Sequence, residues 1–197
     1  MNVVEIPQEP LVGPGTYGRS AVETWPLPTD PAFLQGFLTY VFETYWDQII
    51  YGPLIDGAAY ELTCPCPPTQ IDLHDGYLTV AFGGPHFHLC IDDCYGNPAK
   101  PAPEAYRARR KPSKAQIVRQ LDGDGAPMSW SFEMRNGADE LMITIFFASP
   151  FVGGGDVIEP VPRWERLAMW RDISQRYLGR PPEVLDETGK GFAGMAV

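Results

Sequence analysis

The stretch that decides the fold runs from Cys64 to Cys94, CPCPPTQIDLHDGYLTVAFGGPHFHLCIDDC. Gln70–His74 and Tyr77–Phe82 both alternate polar and apolar residues, with Asp75-Gly76 between them. Two alternating runs joined by Asp-Gly are the strongest short-range signal for a hairpin with a two-residue type I′ turn. That turn sets His74 opposite Tyr77, Leu73 opposite Leu78, Asp72 opposite Thr79 and Ile71 opposite Val80. If Gly83-Gly84 is a second two-residue turn, a third strand from His86 to Ile91 places Phe87 opposite Val80 and Leu89 opposite Leu78. One face of this meander then carries Ile71, Leu73, Leu78, Val80, Phe87, Leu89 and Ile91. The other carries Asp72, His74, Tyr77, Thr79, His86, His88 and Cys90, because side chains alternate along a strand. Slipping the register by one residue would bury the histidines and expose the leucines, so the register is well specified.

Working outward, the chain reads as α+β. Asp30 and Pro31 suit an N-cap and first helical position. Leu34, Phe37, Leu38, Val41, Phe42, Tyr45 and Ile49 recur at helical spacing, up to a stop at Pro53. One more short strand is expected within Ala59–Thr63. After a Pro-rich linker, short helices are expected at 104–111 and at 114–121, where Ser113 and Gln116 form a capping box. A second hairpin follows, Met128–Met134 and Leu141–Phe147, with Trp130, Phe132, Met134, Leu141, Ile143, Ile145 and Phe147 on its core face. Pro162 opens a last helix with Trp164, Leu167, Trp170, Ile173 and Tyr177 as its stripe, ended by Gly179. The expectation is a five-stranded, mainly antiparallel sheet, meander plus hairpin, with helices packed on one face. The domain division expected is an extended arm over 1–29 anchored by Trp25, one domain over 30–179, and a surface tail over 180–197.

Composition bounds the function. The net charge of −10 argues against nucleic acid and anionic membranes as partners. No apolar run reaches the ~18–20 residues of a membrane-spanning helix, and no signal peptide is visible, so a cytoplasmic location with reduced thiols is expected. A homodimer burying the polar sheet face is compatible with the pattern, and a small-molecule or protein partner is left open. The basic run Arg107, Arg109, Arg110 and Lys111 reads as a solvated segment pairing with nearby acids.

All four cysteines and all three histidines of the chain lie between Cys64 and Cys94. Cysteine and histidine are the ligands proteins use for zinc, iron and copper. The expectation is therefore a metal site drawn from His86, His88, Cys90, Cys64, Cys66, Cys94 and Asp72, with zinc or iron as the ion. As an enzyme, His86 and His88 with a carboxylate (Asp72, Asp92 or Glu133) would leave a position open, and His74 or Tyr77 would act as general acid or base. As a non-catalytic protein, the cysteines would close a structural zinc site, carry a metal, or hold an iron–sulfur cluster. A metal-free thiol redox protein is the third class, and it requires a lowered thiol pKa near His88. No zinc-finger, Rieske, GxSxG, HExxH, P-loop or Rossmann pattern is present, so the choice between enzyme and binding protein stays open.

The segments PHFHLCI at Pro85–Ile91, RNG…LMITIFF at Arg135–Phe147 and W…LA.W…YLG at Trp164–Gly179 resemble a family of bacterial proteins of unknown function. The resemblance implies a bacterial source and a shared role for His86, His88 and Cys90. It implies no activity.

Overall fold

A computed structural model describes residues 9–15, 21–55, 57–154 and 157–191 of the chain. In chain order, β1 (Leu11–Pro14) and β2 (Ala21–Leu27) precede helix α1 (Pro31–Tyr45). Four short strands follow: β3 (Ile50–Gly52), β4 (Leu54–Ile55), β5 (Ala58–Ala59) and β6 (Leu62–Thr63). Next come β7 (Gln70–His74), β8 (Tyr77–Ala81) and β9 (His86–Cys90), then helix α2 (Glu104–Arg110). The strands β10 (Pro112–Leu121), β11 (Pro127–Asn136) and β12 (Leu141–Phe146) lead to a helical stretch of a 3-10 turn (Trp164–Leu167), α3 (Ala168–Ile173) and a π turn (Ser174–Leu178). A last 3-10 turn spans Val184–Glu187.

The α+β class stands, but the five-strand count does not. Seven strands form one sheet in the order β1-β2-β10-β11-β12-β3-β6, and β7-β8-β9 and β4-β5 are separate small sheets. The miscount has three physical sources, of which the third is the strand β10 described below. Strands of two or three residues, such as β3 and β6, are too short to show a period. Residues 11–14 and 21–27, within the stretch expected as an arm, are strands paired antiparallel from Leu11↔Thr24 to Pro14↔Ala21. Trp25 among them is fully buried.

The helix expected at 114–121 is the strand β10, the larger correction. The Ser113–Gln116 spacing that fits a capping box is a coincidence of short range. The same segment holds adjacent β-branched residues, Ile117 and Val118, and both are buried, which suits a strand covered on both faces better than a one-sided helix. Ser113 Oγ instead donates to the carbonyl of Asn136. Elsewhere the local signals hold. Asp30 Oδ1 accepts the amide of Phe33 at 2.9 Å, capping α1 as expected. Gly179 takes a left-handed φ of 66° and ends the last helical stretch.

The chain divides into two compact units, residues 1–26, 116–132 and 146–197, and residues 27–115 and 133–145. In the second unit α1 buries Leu34, Phe37, Leu38, Val41 and Phe42. Phe42 and Tyr51 meet Phe87 at 5.3 and 5.1 Å between ring centroids, and each meets Phe82 at 6.3 Å. These rings cover the apolar face of the β7-β8-β9 sheet, which leaves its opposite face for chemistry. Burying each such side chain contributes about 1.5–3 kcal/mol.

In the first unit the core is built around Trp25, Trp130 and Trp170, all 2% exposed or less. Among them lies a buried guanidinium. Arg119 contacts Glu23 at 2.6 Å, Glu183 at 2.7 Å and Asp186 at 2.8 Å. Asp186 belongs to the stretch expected as a surface tail, yet it is 1% exposed and accepts the Trp170 indole N–H at 2.7 Å. Among the described residues no helix is long and apolar enough to cross a membrane.

Candidate ligand-binding face

The meander forms in the register read from the sequence. β7 and β8 pair as Ile71↔Val80, Asp72↔Thr79, Leu73↔Leu78 and His74↔Tyr77. β8 and β9 pair as Tyr77↔Cys90, Leu78↔Leu89, Thr79↔His88 and Val80↔Phe87. Asp75 and Gly76 both have positive φ, 43° and 77°, as a type I′ turn requires. A side chain at Gly76 would meet the Asp93 carbonyl carbon at 2.7 Å, so the chain after β9 lies directly on this turn.

Three rows of side chains cross the outer face: His74–Tyr77–Cys90, Asp72–Thr79–His88 and Gln70–Ala81–His86. His74, Asp75, Tyr77, Thr79 and His88 line an open depression of about 350 Å³. All three histidines are exposed. His86 Nδ1 lies 3.0 Å from the carbonyl of Gly84. A carbonyl only accepts, so Nδ1 carries the proton, and in the neutral ring Nε2 keeps its lone pair. His88 Nδ1 lies 2.9 Å from Thr79 Oγ1, a hydroxyl able to accept from it in the same way. The two rings stand edge to face, 5.2 Å apart.

The cysteines do not join them. Cys64 is buried, and Cys66 donates to the carbonyl of Phe82 at 3.5 Å. Cys90 donates to the carbonyl of Asp92 at 3.3 Å, and Cys94 to Asp75 Oδ2 at 3.6 Å. All four are free thiols. Burial, then the neighbouring Cys66, pushes the Cys64 thiol up to about 12. Burial and the neighbouring Cys94 push Cys90 up to about 11. Burial, with Asp75 beside it, also raises Cys94. Buried thiols held protonated in this way are poor nucleophiles.

Among the described residues no group of three or more His, Cys, Asp and Glu side chains is placed to hold a metal ion. The expected Cys/His metal protein is overturned on this ground, together with its structural-zinc, iron–sulfur and carrier forms. The thiol redox alternative needed a lowered thiol pKa, and Cys64, Cys90 and Cys94 are all raised. Strand parity gave direction correctly but not depth or company. Cys90 points to the histidine face yet is 5% exposed. Asp72 is engaged by Gln70 Nε2 at 3.0 Å. Tyr77, proposed from sequence as an acid or base, has its hydroxyl pKa raised by burial, with Arg110 opposing.

Sequence reasoning gave no role in this region to α2 and the loop it covers. Asp75 accepts the amides of Tyr95 and Gly96 at 2.9 and 2.7 Å, which hold its carboxyl below the usual range. Arg107 pairs with Asp93 and lies over the Tyr95 ring at 4.3 Å. Arg110 lies over the rings of Tyr106 and Tyr77, at 4.3 and 5.7 Å. Alternating aromatic and basic residues, Tyr95 with Tyr106-Arg107 and Arg109-Arg110, were the available signal.

The chain belongs to the Family of unknown function (DUF7676), whose model matches residues 15–179. That span includes the three segments on which the family resemblance was read. No curated protein matches the chain in sequence. Among solved structures it is similar to the crystal structure of ChuX, with a TM-score of 0.50 and 10% identity over 80% of this chain and 78% of that one. At that identity the likeness is one of fold.

Proposed function

We propose that this chain is a non-catalytic binding protein for a planar metal chelate of the iron-porphyrin class, taken up on the outer face of the β7-β8-β9 sheet. The observation that carries the reading is the state of the histidines. His86 Nδ1 lies at the Gly84 carbonyl and His88 Nδ1 at the Thr79 hydroxyl, on an exposed face, and among the described residues no group of three or more His, Cys, Asp and Glu side chains is placed to hold a bare ion. A bare ion needs at least three protein donors, as in a catalytic zinc site, or four, as in a structural one. A porphyrin iron brings its own equatorial nitrogens and asks the protein for one or two axial ones.

His88 is the residue that would hold the iron, because it lines the depression and Thr79 Oγ1 lies 2.9 Å from its Nδ1. Fixing the far ring nitrogen by a hydrogen bond is the arrangement that orients a ligating imidazole. The volume of about 350 Å³ lies at the low end of the ~300–1,000 Å³ of ligand pockets, so one face or edge of the ligand stays open. Such a hold suits delivery of a ligand more than chemistry upon it.

The test is an absorption titration of the full chain with ferric haem. A shifted Soret band saturating at one haem per chain is expected, lost in His88→Ala and unrestored by added zinc. Unchanged binding in a His86→Ala/His88→Ala double variant defeats the proposal.

A further inference from the structure

We infer that the ligand of this face carries a carboxylate and that Arg110 binds it. The inference rests on the proposed function and adds the chemical class of the ligand's periphery.

The basic run is mostly spent on acids of the protein itself. Arg107 pairs with Asp93, and Arg109 with Glu140. Arg110 differs: among the described residues it has no carboxylate partner. Its Nη1 donates to Cys94 Sγ at 3.4 Å, and its plane lies over Tyr106 and toward Tyr77. A thiol is a weak acceptor, and a guanidinium has five N–H donors in a fixed fork. The Tyr106 and Tyr77 rings, 4.3 and 5.7 Å away, hold the guanidinium in place, and the thiol engages only Nη1. Arg110 is half-buried rather than dissolved in solvent.

Its position links it to the ligand face. Tyr77, one of the two rings beneath Arg110, is also a wall of the depression. The acids nearby are committed elsewhere. Asp75 lines the depression but accepts two backbone amides and the Cys94 thiol. Asp92 Oδ1 accepts the amide of Asp93, and the Asp93 carboxylate holds Arg107. A chain of net charge −10 repels anions in general. A guanidinium without a carboxylate partner among the described residues, 5.7 Å from the ring of a tyrosine that lines the depression, is therefore a selective feature. A planar chelate with peripheral carboxylates would be held by His88, with Arg110 supplying charge-assisted hydrogen bonds to a carboxylate.

The experiment compares ferric protoporphyrin with its dimethyl ester, on the full native chain and on Arg110→Gln and Arg110→Lys variants. The native chain is expected to bind the diacid about tenfold more tightly than the diester, the effect of one charge-assisted contact. Arg110→Gln should erase that preference, the diacid and diester then binding equally, and Arg110→Lys should keep part of it. Raising the salt should shrink the native preference. The diester comparison on the native chain needs no variant to fold. Equal affinity of the native chain for diacid and diester, or a preference surviving in Arg110→Gln, overturns the role of Arg110 alone. Failure of both compounds to bind the native chain overturns the parent reading and this inference with it.

Discussion

Replacing Asp186 with alanine tests the account of the first unit's core. Asp186 is 1% exposed and accepts two hydrogen bonds, from Arg119 Nη1 at 2.8 Å and from Trp170 Nε1 at 2.7 Å. Hydrogen bonds to charged groups contribute about 1.5–3 kcal/mol each, so losing both costs about 3–6 kcal/mol. Breaking a buried ion pair by deleting one partner costs about 3–5 kcal/mol by an independent route. Arg119 would keep Glu23 at 2.6 Å and Glu183 at 2.7 Å, so its charge is not stranded. That places the expected loss at the low end, about 3 kcal/mol. Equilibrium urea unfolding followed by tryptophan fluorescence reads it directly, since Trp25 and Trp170 both lie under the Arg119 guanidinium. With a slope of about 1–3 kcal/mol/M, the midpoint should fall by about 1–3 M. A shift worth less than about 1 kcal/mol would show that the 183–187 segment is not held by this network, and the reasoning would be wrong.

Other outcomes follow from the same structure. Cys64 and Cys90, pushed up to about 12 and 11, should resist iodoacetamide at pH 8 in the native protein and react on unfolding in urea. Rapid native alkylation counts against their burial. Because these raised values favour the protonated thiol in the folded state, stability is full below the ordinary thiol pKa and declines as pH rises from there toward 11 and 12. Cys64→Ala should flatten that alkaline slope in pH-dependent urea melts. Burial pushes Glu183 up, but Arg119 and Arg180 outweigh it and hold its carboxyl below the ordinary 4.5. Its stabilising share is therefore present above that value and lost as pH falls beneath it, so Glu183→Gln should reduce the acid-side slope. Gly76→Ala should destabilise by more than about 1 kcal/mol, because φ is 77° and the new methyl meets the Asp93 backbone at 2.7 Å; a neutral melt would contradict the packing of that loop on the turn.

The meander was legible in full because its determinants are local: an Asp-Gly turn, strict alternation, and a second glycine turn fixed both register and faces. The same locality misled at Ser113–Leu121, where a capping-box spacing competed with a strand whose partners lie outside the segment. The Arg119 network was invisible for the converse reason. Its acids lie 96, 64 and 67 residues away in sequence, at Glu23, Glu183 and Asp186. The histidine face was found through parity, but parity says nothing of what covers a residue. Cys90 shares the histidines' direction and is nevertheless buried, Cys64 is buried as well, and Cys66 donates to the Phe82 carbonyl rather than meeting an imidazole. Crowding of Cys and His in sequence was therefore mistaken for crowding in space.

The central claim is that an imidazole Nε2 on this face is free to take an axial position. Long-range ¹⁵N–¹H NMR of the histidine rings, before and after adding diamagnetic zinc protoporphyrin, tests it most directly. The account predicts Nδ1-protonated tautomers for His86 and His88 in the free protein. On addition, the His88 Nε2 resonance should move, with a smaller change at His86. Nε2-protonated rings in the free protein, or a spectrum unaltered at both residues by the porphyrin, would contradict it.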